Sequence, residues 1–280
     1  MTSQATSGWL TRAVAVLAEA GVPSPRVDAE LLAVDGAGLR RETLATAADP
    51  GPDFWALVQR RAQREPLQHV VGRAWFRRIS VAVGPGVFVP RPETEVVAGA
   101  AIEEAARLRH RASPPVVVDL GTGSGVIALA VADEVPVARV HAVELHAQAL
   151  SWARHNCQGS AVRLHRGDLR DCLPWLDGCV DVVVSNPPYI PPDGVPVDPE
   201  VRDHDPAPAL YGSGSDGLGE VRAVVARAER LLTEGGLLVL EHAERQSDAV
   251  LGLLGPGWRE RRGHRDLAGR PRFVTARRSG

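Results

Sequence analysis

The chain has 280 residues, of which 32 are basic and 34 are acidic, so its formal charge at pH 7 is −2. Every one of the 32 basic residues is arginine, which excludes chemistry that needs a lysine amine, such as Schiff-base catalysis. Apolar residues make up 44% of the chain, and their longest runs fall far short of the roughly 20 residues that span a bilayer. The composition is that of a soluble globular protein without a membrane segment.

The cysteines and the first residues indicate a cellular compartment. Cys157, Cys172 and Cys179 are spaced neither as a zinc-binding Cys-x-x-Cys pair nor as an evenly paired disulfide framework. Residues 1–9 lack the basic start and the apolar centre of a signal peptide. We therefore expect a protein of the reducing cytoplasm.

The first 69 residues predict a small helical domain. An apolar stripe with helical spacing ends at Gly21. Two further helices are expected over 26–33 and 53–64, the second with Asp53 as its N-cap.

Residues 70–89 predict a β-hairpin that connects this domain to the rest of the chain. Their apolar period shortens towards two, and Gly84-Pro85-Gly86 interrupts the run where a turn is expected. The sequence Pro-Arg-Pro-Glu-Thr-Glu follows at 90–95. Within it, Pro92 is expected in the first turn of a helix that reaches about Arg111.

Residues 90–280 alternate short apolar strands with helices and predict an α/β domain. This alternation is typical of a doubly wound, mostly parallel sheet with helices on both faces. The expected strands are 116–120, 140–143, 162–165, 180–185, 236–241 and 273–277. The expected helices include 126–132, 147–156 and 218–232.

A glycine-rich loop follows the first of these strands and opens the next helix. Its pattern is D-x-G-x-G-x-G from Asp119, whereas a dinucleotide fingerprint would need glycine in place of Val126. Glycines allow a ligand to approach the backbone, and N–H groups at the helix start can face it. The pattern is similar to the first motif of S-adenosylmethionine methyltransferases. It predicts as cofactor-binding residues Gly121, Thr122, Gly123, Ser124 and Gly125.

Acidic residues follow the next two strands. Glu144 ends the second strand, where a carboxylate can accept hydrogen bonds from both hydroxyls of a ribose. Gly167-Asp168-Leu169 follows the third strand, where methyltransferases of this class commonly place an acid near the adenine. Asp168 and Leu169 are therefore predicted to bind the cofactor together with Glu144, Leu169 by apolar contact.

The sequence Asn-Pro-Pro-Tyr closes the fourth strand and is the most specific chemical signal in the chain. Two prolines cannot continue a sheet, so they predict a rigid turn beyond the carboxyl end of the strand, where α/β sheets bind ligands. The Asn186 side-chain oxygen and the Pro187 carbonyl can accept the two N–H bonds of a planar amide or amine. The predicted catalytic residues are Asn186, Pro187 and Tyr189. Together with Pro188 they are also predicted to bind the substrate, and Asn186 is predicted to contact the cofactor as well.

Several motifs, in the same order, resemble those of the release factor glutamine methyltransferases, the PrmC/HemK family. They are Arg64-Glu65-Pro66-Leu67-Gln68, Val83-Gly84-Pro85-Gly86-Val87, Pro90-Arg91-Pro92-Glu93-Thr94-Glu95, the glycine loop, the Asn-Pro-Pro-Tyr turn and Asp266-Leu267-Ala268-Gly269-Arg270. The resemblance covers nearly the whole chain. It implies a class I methyltransferase fold with a mostly parallel seven-stranded sheet, and S-adenosylmethionine as cofactor. It also implies methylation of the glutamine in the Gly-Gly-Gln motif of peptide chain release factors. The N-terminal helical domain is then expected to help dock the release factor.

Other functions are compatible with the same residues. A planar amine of an RNA or DNA base, or another ribosome-associated protein, fits the Asn-Pro-Pro-Tyr turn as well as a glutamine amide does. A non-catalytic adaptor that docks a translation factor is a further alternative. The near-neutral charge and the 90–95 segment favour a protein substrate, so direct nucleic-acid binding is not expected.

Three further features have a structural interpretation beside a functional one. The nine histidines show no ligand spacing, so we predict no metal. The acidic loop at 193–205 is either solvated charge or a lid that meets a basic substrate. The arginine-rich stretches at 60–78 and 259–278 are interpreted as solvated strand faces rather than as nucleic-acid surfaces.

Overall fold

The computed structural model describes residues 7–280, which form two compact units. The first unit contains the described residues up to Arg73, with Val83–Pro85 and Val195–Asp205. The second contains Ala74–Ala82, Gly86–Gly194 and Pro206–Gly280. Residues 1–6 belong to the predicted helical domain and to the segment without a signal-peptide pattern, and they lie outside the described residues.

The described chain alternates helices and strands. Its α-helices are α1 (Gly8–Glu19), α2 (Pro25–Leu31), α3 (Pro52–Ala62), α4 (Leu67–Val71), α5 (Thr94–Leu108), α6 (Val126–Glu134), α7 (Ala147–Cys157), α8 (Pro199–His204), α9 (Ala207–Leu210), α10 (Gly219–Leu231) and α11 (Ser247–Leu253). Its strands are β1 (Arg73–Phe76), β2 (Ile79–Ala82), β3 (Val116–Leu120), β4 (Arg139–Glu144), β5 (Arg163–Arg166), β6 (Val180–Ser185), β7 (Leu232–Glu241), β8 (Trp258–Arg265) and β9 (Pro271–Arg278). None of these helices is both long and apolar enough to cross a membrane.

The first unit packs around its own apolar core. Three residues of the predicted stripe on α1 are buried: Leu10, Ala13 and Leu17. The Trp9 ring meets Phe54 of α3 edge to face with the ring centroids 5.2 Å apart, and the Trp9 Nε1 donates to the Ala47 carbonyl. The expected 26–33 helix is split, because α2 continues into a π-helical turn at Leu32–Gly36. Large buried rings contribute strongly to the stability of so small a core.

The predicted N-cap of α3 is wrong. Pro52 is the first helical residue, and Gly51 holds the N-cap position with a φ of 89°. Asp49, rather than Asp53, accepts hydrogen bonds at this end, from the Gly51 N–H and from the Trp55 Nε1. Proline is well suited to the first helical position because its missing N–H would have no helical partner there.

Strands β1 and β2 form a separate two-stranded hairpin. The chain reverses at Arg77 and Arg78, and Arg77 has a left-handed φ of 51°. The predicted turn position is therefore wrong, because Gly84-Pro85-Gly86 follows β2 instead of separating the strands.

Helix α5 begins two residues later than predicted. The Thr94 N–H donates to the Arg91 carbonyl and the Glu95 N–H to the Pro92 carbonyl, which closes turns ahead of the helix. Pro92 therefore lies in the preceding turn, and the helix ends at Leu108. This start places the Thr94 side chain in the interior of the second unit.

The sheet of the second unit has the strand order β5-β4-β3-β6-β7-β9-β8. Neighbours from β5 to β7 run parallel, and β9 runs antiparallel to both β7 and β8. Helices α5, α6, α7, α10 and α11 pack against it. The predicted α/β fold, a doubly wound and mostly parallel seven-stranded sheet, is confirmed.

The strand order reverses beside β3. From β3 the chain moves outward through β4 and β5, then returns to β6 on the other side of β3. Leu120 and Ser185, the last residues of β3 and β6, are register neighbours, and the Ser185 hydroxyl donates to the Leu120 carbonyl at 2.6 Å. Open α/β sheets bind ligands at such a reversal. The topology therefore brings the glycine loop beside the Asn-Pro-Pro-Tyr turn.

The sequence does not predict strand β8 or helices α4, α8, α9 and α11, and residues 70 and 71, assigned to the hairpin, belong to α4. Strand β8 lies at one end of the sheet and most of its side chains are exposed, including those of Arg259, Arg261 and Arg262. Charged side chains on an edge strand discourage pairing with other molecules. They also remove the apolar alternation by which a strand is detected.

Candidate active site

The glycine loop joins β3 to α6 through three residues with left-handed backbone. The φ angle is 73° at Gly121, 58° at Gly123 and 85° at Gly125. Side chains are disfavoured in this region of φ, so these turns need glycine. A Cβ at Gly121 or Gly123 would meet no heavy atom within 4 Å, whereas one at Gly125 would lie 3.1 Å from the Cys157 Sγ. The first two glycines thus border open space, and the third packs against α7.

Glu144 lies against this loop at the end of β4. Its Oε2 accepts a hydrogen bond of 2.9 Å from the Gly123 N–H, and its Oε1 accepts one of 2.8 Å from the His146 N–H. The side chain is almost fully buried. Two of the predicted cofactor-binding segments are therefore in direct contact.

Asp168 and Leu169 follow β5, two strands away from β3. The Gly167 N–H donates to the Glu144 carbonyl at 3.1 Å, which ties the end of β5 to the end of β4. The Asp168 Oδ1 accepts a hydrogen bond from the Arg170 N–H, and Leu169 packs against the apolar core. These two residues lie on the same edge of the sheet as Glu144.

Asp119 is a buried residue of the motif to which the sequence assigns no role. Its Oδ2 accepts hydrogen bonds from the Thr122 hydroxyl at 2.5 Å and from the Ala128 N–H, while its Oδ1 is buried without a partner among the described residues. Burial raises the pKa of Asp119 to about 7, although the hydrogen bond from Thr122 opposes this. Its place at the start of the D-x-G-x-G-x-G pattern is the signal that identifies it.

The Asn-Pro-Pro-Tyr turn continues directly from β6. Pro187 is buried, and Asn186, Pro188 and Tyr189 are partly exposed. The Tyr189 carbonyl accepts a hydrogen bond of 2.8 Å from the Gln246 Nε2, which anchors the end of the turn. Three of the four residues predicted to bind the substrate are thus partly exposed beside the glycine loop.

Behind this turn lie polar residues to which the sequence assigns no role. The Asn186 Nδ2 is 3.4 Å from the Thr94 Oγ1, and the Tyr189 hydroxyl is 3.4 Å from the Glu241 Oε1. Burial raises the pKa of Glu241 to about 7, against the opposing effects of a hydrogen bond from Thr94 and the charge of Arg272. Glu241 could have been found from the sequence, because it is an acidic residue at the end of a long apolar strand.

The interpretation of the 60–78 arginines as solvated strand faces is wrong for Arg61 and Arg64, whereas Arg73 is exposed on β1 as expected. Arg61 of α3 is buried and pairs with Asp28 at 2.7 Å and with Glu200 at 2.8 Å. Arg64 makes two hydrogen bonds with the same Glu200. On β9, Arg277 likewise pairs with Glu104 at 2.9 Å. These arginines balance carboxylates of the protein itself.

Neither interpretation of the 193–205 loop describes Glu200. The residue lies on α8 within the first unit. Although burial has the opposite effect, hydrogen bonds from Arg64 and Arg61 lower the pKa of Glu200 to about 2. It is a paired structural carboxylate, whereas Asp203 pairs with Arg202 at the surface. Within 7–280, no three His, Cys, Asp or Glu side chains are grouped to hold a metal ion.

Comparison with known proteins identifies the family. Residues 8–72 match the PrmC N-terminal domain, and residues 100–196 match the Methyltransferase small domain. A release factor glutamine methyltransferase of Streptomyces coelicolor is 53% identical over 94% of this chain and 94% of its own length. Another, of Mycolicibacterium smegmatis, is 48% identical over 95% of each chain. The chain belongs to the release factor glutamine methyltransferase family.

Two other proteins are similar to this chain, one a relative with a different named substrate and the other a solved structure with a similar fold. A 4-amino-L-phenylalanine/4-methylamino-L-phenylalanine methyltransferase of Streptomyces pristinaespiralis is 43% identical over 86% of this chain and 84% of its own length. The crystal structure of a methyltransferase from Pyrococcus furiosus is 19% identical with a TM-score of 0.50, over 71% of this chain and 88% of that chain. This release factor glutamine methyltransferase family member is therefore an enzyme of the methyltransferase class, with the corresponding α/β fold.

Proposed function

We propose that this enzyme transfers a methyl group from S-adenosylmethionine to the side-chain amide nitrogen of the glutamine in the Gly-Gly-Gln motif of peptide chain release factors. The observation that carries the proposal is the position of the Asn-Pro-Pro-Tyr turn beside the glycine loop at the strand reversal. The high identity to relatives named for this substrate supports it.

The residues at the ends of β3, β4 and β5 fit the cofactor. The open space at Gly121 and Gly123 admits a ligand, and the buried Oδ1 of Asp119 offers an unused acceptor. In this proposal Glu144 accepts the ribose hydroxyls, and Asp168 and Leu169 contact the adenine. The loop itself is completed by Thr122, Ser124 and Gly125. When bound, the cofactor supplies an electrophilic methyl group on a positively charged sulfur.

The Asn-Pro-Pro-Tyr turn would hold the glutamine. The Asn186 Oδ1 and the Pro187 carbonyl accept the two amide N–H bonds, and the Tyr189 ring lies against the amide plane, with Pro188 completing the surface. A neutral amide nitrogen is a weak nucleophile, so orientation and exclusion of water must supply much of the rate. The nitrogen would gain the methyl group as the methyl–sulfur bond breaks, which leaves a neutral thioether, and would release one of its two protons to water. These carbonyl acceptors stabilise the positive charge that develops on it.

The first unit is proposed to dock the release factor. It matches the PrmC N-terminal domain and has its own apolar core, independent of the sheet. Because release factors act on ribosomes, we place the reaction in the cytoplasm.

A labelled-methyl assay tests the proposed function. The purified enzyme is incubated with labelled S-adenosylmethionine and, in separate reactions, with release factor, rRNA and 4-amino-L-phenylalanine. We expect label in release factor alone, mapped by mass spectrometry to the glutamine of Gly-Gly-Gln, and none in a control factor with that glutamine changed to glutamate. Label only in rRNA or only in the free amine would overturn the proposal, as would cofactor binding without turnover on any substrate.

Asn186→Ala tests the assigned role of the turn. Because Asn186 is proposed to orient the amide, the variant should lose kcat by about 100-fold, the scale of a misplaced reacting group. Its affinity for S-adenosylmethionine, measured by calorimetry, should stay within about threefold of wild type, a difference below 1 kcal/mol. A variant with wild-type turnover would contradict the mechanism.

A further inference from the structure

A buried polar cluster lies directly behind the Asn-Pro-Pro-Tyr turn and joins segments that are distant in the chain. Thr94 begins α5 and Glu241 ends β7, and both are almost completely buried. Tyr189 approaches Glu241 from the turn, and Arg272 of β9 lies close enough for its charge to act on both. Polar groups are buried at a cost unless they are hydrogen-bonded, so this cluster calls for an explanation.

The hydrogen bonds of Thr94 have one possible direction when Glu241 is ionised. Thr94 and Glu241 are joined by a side-chain hydrogen bond. Because a carboxylate only accepts, the Thr94 hydroxyl donates its single proton to Glu241. The Thr94 oxygen then accepts from the Asn186 Nδ2, 3.4 Å away. The chain runs from the Asn186 amide N–H, through the Thr94 hydroxyl, to the Glu241 carboxylate.

This direction decides which atom of Asn186 faces the substrate. The side-chain amide is planar, with a donor nitrogen and an acceptor oxygen on opposite sides. With Nδ2 engaged by Thr94, Oδ1 is presented on the other side as an acceptor. A flipped amide would present N–H groups to the N–H groups of the substrate, which is repulsive.

We propose that Thr94 and Glu241 are positioning residues that orient the Asn186 side-chain amide, and that this is the role of Thr94 in the 90–95 segment. The inference rests on the proposed function, because it assumes that the Asn186 Oδ1 receives a substrate N–H. Neither residue touches the reacting atoms. They act through Asn186, and Glu241 also acts through the Tyr189 hydroxyl.

The charge on Glu241 gives the arrangement a pH dependence. The charged and titratable groups that act on Glu241 are Arg272 from β9, Glu93 from the turn before α5, and Tyr189 from the Asn-Pro-Pro-Tyr turn. With a pKa of about 7, Glu241 is a carboxylate above that pH and accepts from Thr94. Below it, the protonated acid can donate to Thr94, which allows the chain of hydrogen bonds to reverse. Turnover should therefore rise as the pH increases through about 7.

Threonine substitutions test the orientation of Asn186 with nearly constant side-chain volume. Thr94→Val removes the hydroxyl and should lower kcat by about 10- to 100-fold, the range for losing a supporting hydrogen bond at a reacting group. KM for release factor and the affinity for S-adenosylmethionine should change little, and Thr94→Ser should recover most of the lost kcat. Thr275→Val is the matched control, since it removes a hydroxyl bonded to His264 elsewhere in the same sheet.

The pH profile separates positioning from simple packing. Measured from pH 6 to 9 at saturating cofactor, kcat of the wild type should show a step near 7, and Glu241→Gln should lack it. Glu104→Gln is the control, because Glu104 is also a buried glutamate but pairs with Arg107 and Arg277 away from the turn. Asp119 also has a pKa of about 7. Because it contacts Thr122 of the glycine loop, its titration should change the affinity for S-adenosylmethionine and should not change kcat at saturating cofactor.

The outcomes distinguish this inference from the proposed function. If the wild type does not methylate release factor, the proposed function fails and the inference fails with it. If the wild type is active but Thr94→Val has wild-type kcat, the positioning role of Thr94 is wrong. A step near pH 7 that persists in Glu241→Gln overturns the role of Glu241. A loss of kcat in Thr94→Val that Thr94→Ser does not recover indicates packing instead of orientation.

Discussion

At the scale of single residues, the glycine loop shows how backbone conformation limits the choice of side chain. Gly121, Gly123 and Gly125 all have left-handed φ angles, but their surroundings differ. Gly125 packs tightly against Cys157, whereas Gly123 borders open space and donates its N–H to Glu144. Glycine at 123 therefore suits both the turn and the approach of the proposed cofactor.

Gly123→Ala should separate these two requirements. Because the residue is left-handed, the added Cβ should cost roughly 1–2 kcal/mol of unfolding free energy. It should also weaken S-adenosylmethionine binding by about tenfold, equivalent to 1.4 kcal/mol, because the methyl group projects into the open space. Gly159→Ala is the matched control, with a φ of 78° and no heavy atom within 4 Å of the added Cβ. Equal losses of cofactor affinity in the two variants would contradict the assignment.

At the scale of elements, ion pairs join helices of the first unit that are far apart in the chain. Arg61 of α3 pairs with Asp28 of α2 and with Glu200 of α8. Hydrogen bonds lower the pKa of Glu200 from its ordinary value of 4.5, so above pH 4.5 they stabilise the folded protein fully. This contribution to stability is lost as the pH falls towards about 2. Helix α8 is thus held to the other helices of the first unit by charge.

Arg61→Ala should lower the free energy of unfolding by about 3–5 kcal/mol, because it leaves the buried carboxylate of Asp28 without its partner. Urea unfolding at pH 7 measures this loss, and acid unfolding should begin at a higher pH in the variant. Arg26→Ala provides the comparison: its pair with Glu30 is exposed at the arginine, so the expected loss is below about 1 kcal/mol. Similar losses from both variants would show that burial of the Arg61 cluster does not matter.

At the scale of the whole molecule, the two units have separate apolar cores. The core of the first unit includes Trp9, Phe54 and Leu32, and the core of the second is built on β3, β6 and β7. A core substitution in one unit therefore leaves the core residues of the other unit unchanged. This separation allows the proposed docking role to be tested apart from cofactor binding.

Phe54→Ala should raise KM for release factor by about tenfold while leaving S-adenosylmethionine affinity unchanged, because it damages only the unit proposed to dock the substrate. The truncation of this fully buried ring should cost about 3–5 kcal/mol of stability. Leu254→Ala, a core truncation in the second unit, controls for general destabilisation. An increase in KM of the same size in both variants would argue against docking by the first unit.

The features that the sequence determined by itself are those encoded by neighbouring residues. Apolar periodicity located strands β3, β4, β5 and β6 and helices α6 and α7 closely, because burial of one face imposes its spacing on the sequence. The glycine loop and the proline pair are likewise local, since φ limits and missing N–H groups act within one turn. These local signals and the family resemblance identified the candidate site.

Only the tertiary structure decided how distant segments combine. Strand β8 and helix α8 have polar sequences whose places depend on the partners they pack against, and Arg61 differs from an exposed arginine only through Asp28 and Glu200. Thr94, Glu241 and Arg272 lie on three elements and become one cluster only when α5, β7 and β9 assemble. The physical reason is that burial, which makes a charge or a hydroxyl costly without a partner, is set by residues far away in the chain. The chemistry of the turn can therefore be read from its own residues, whereas the groups that orient it come from the fold.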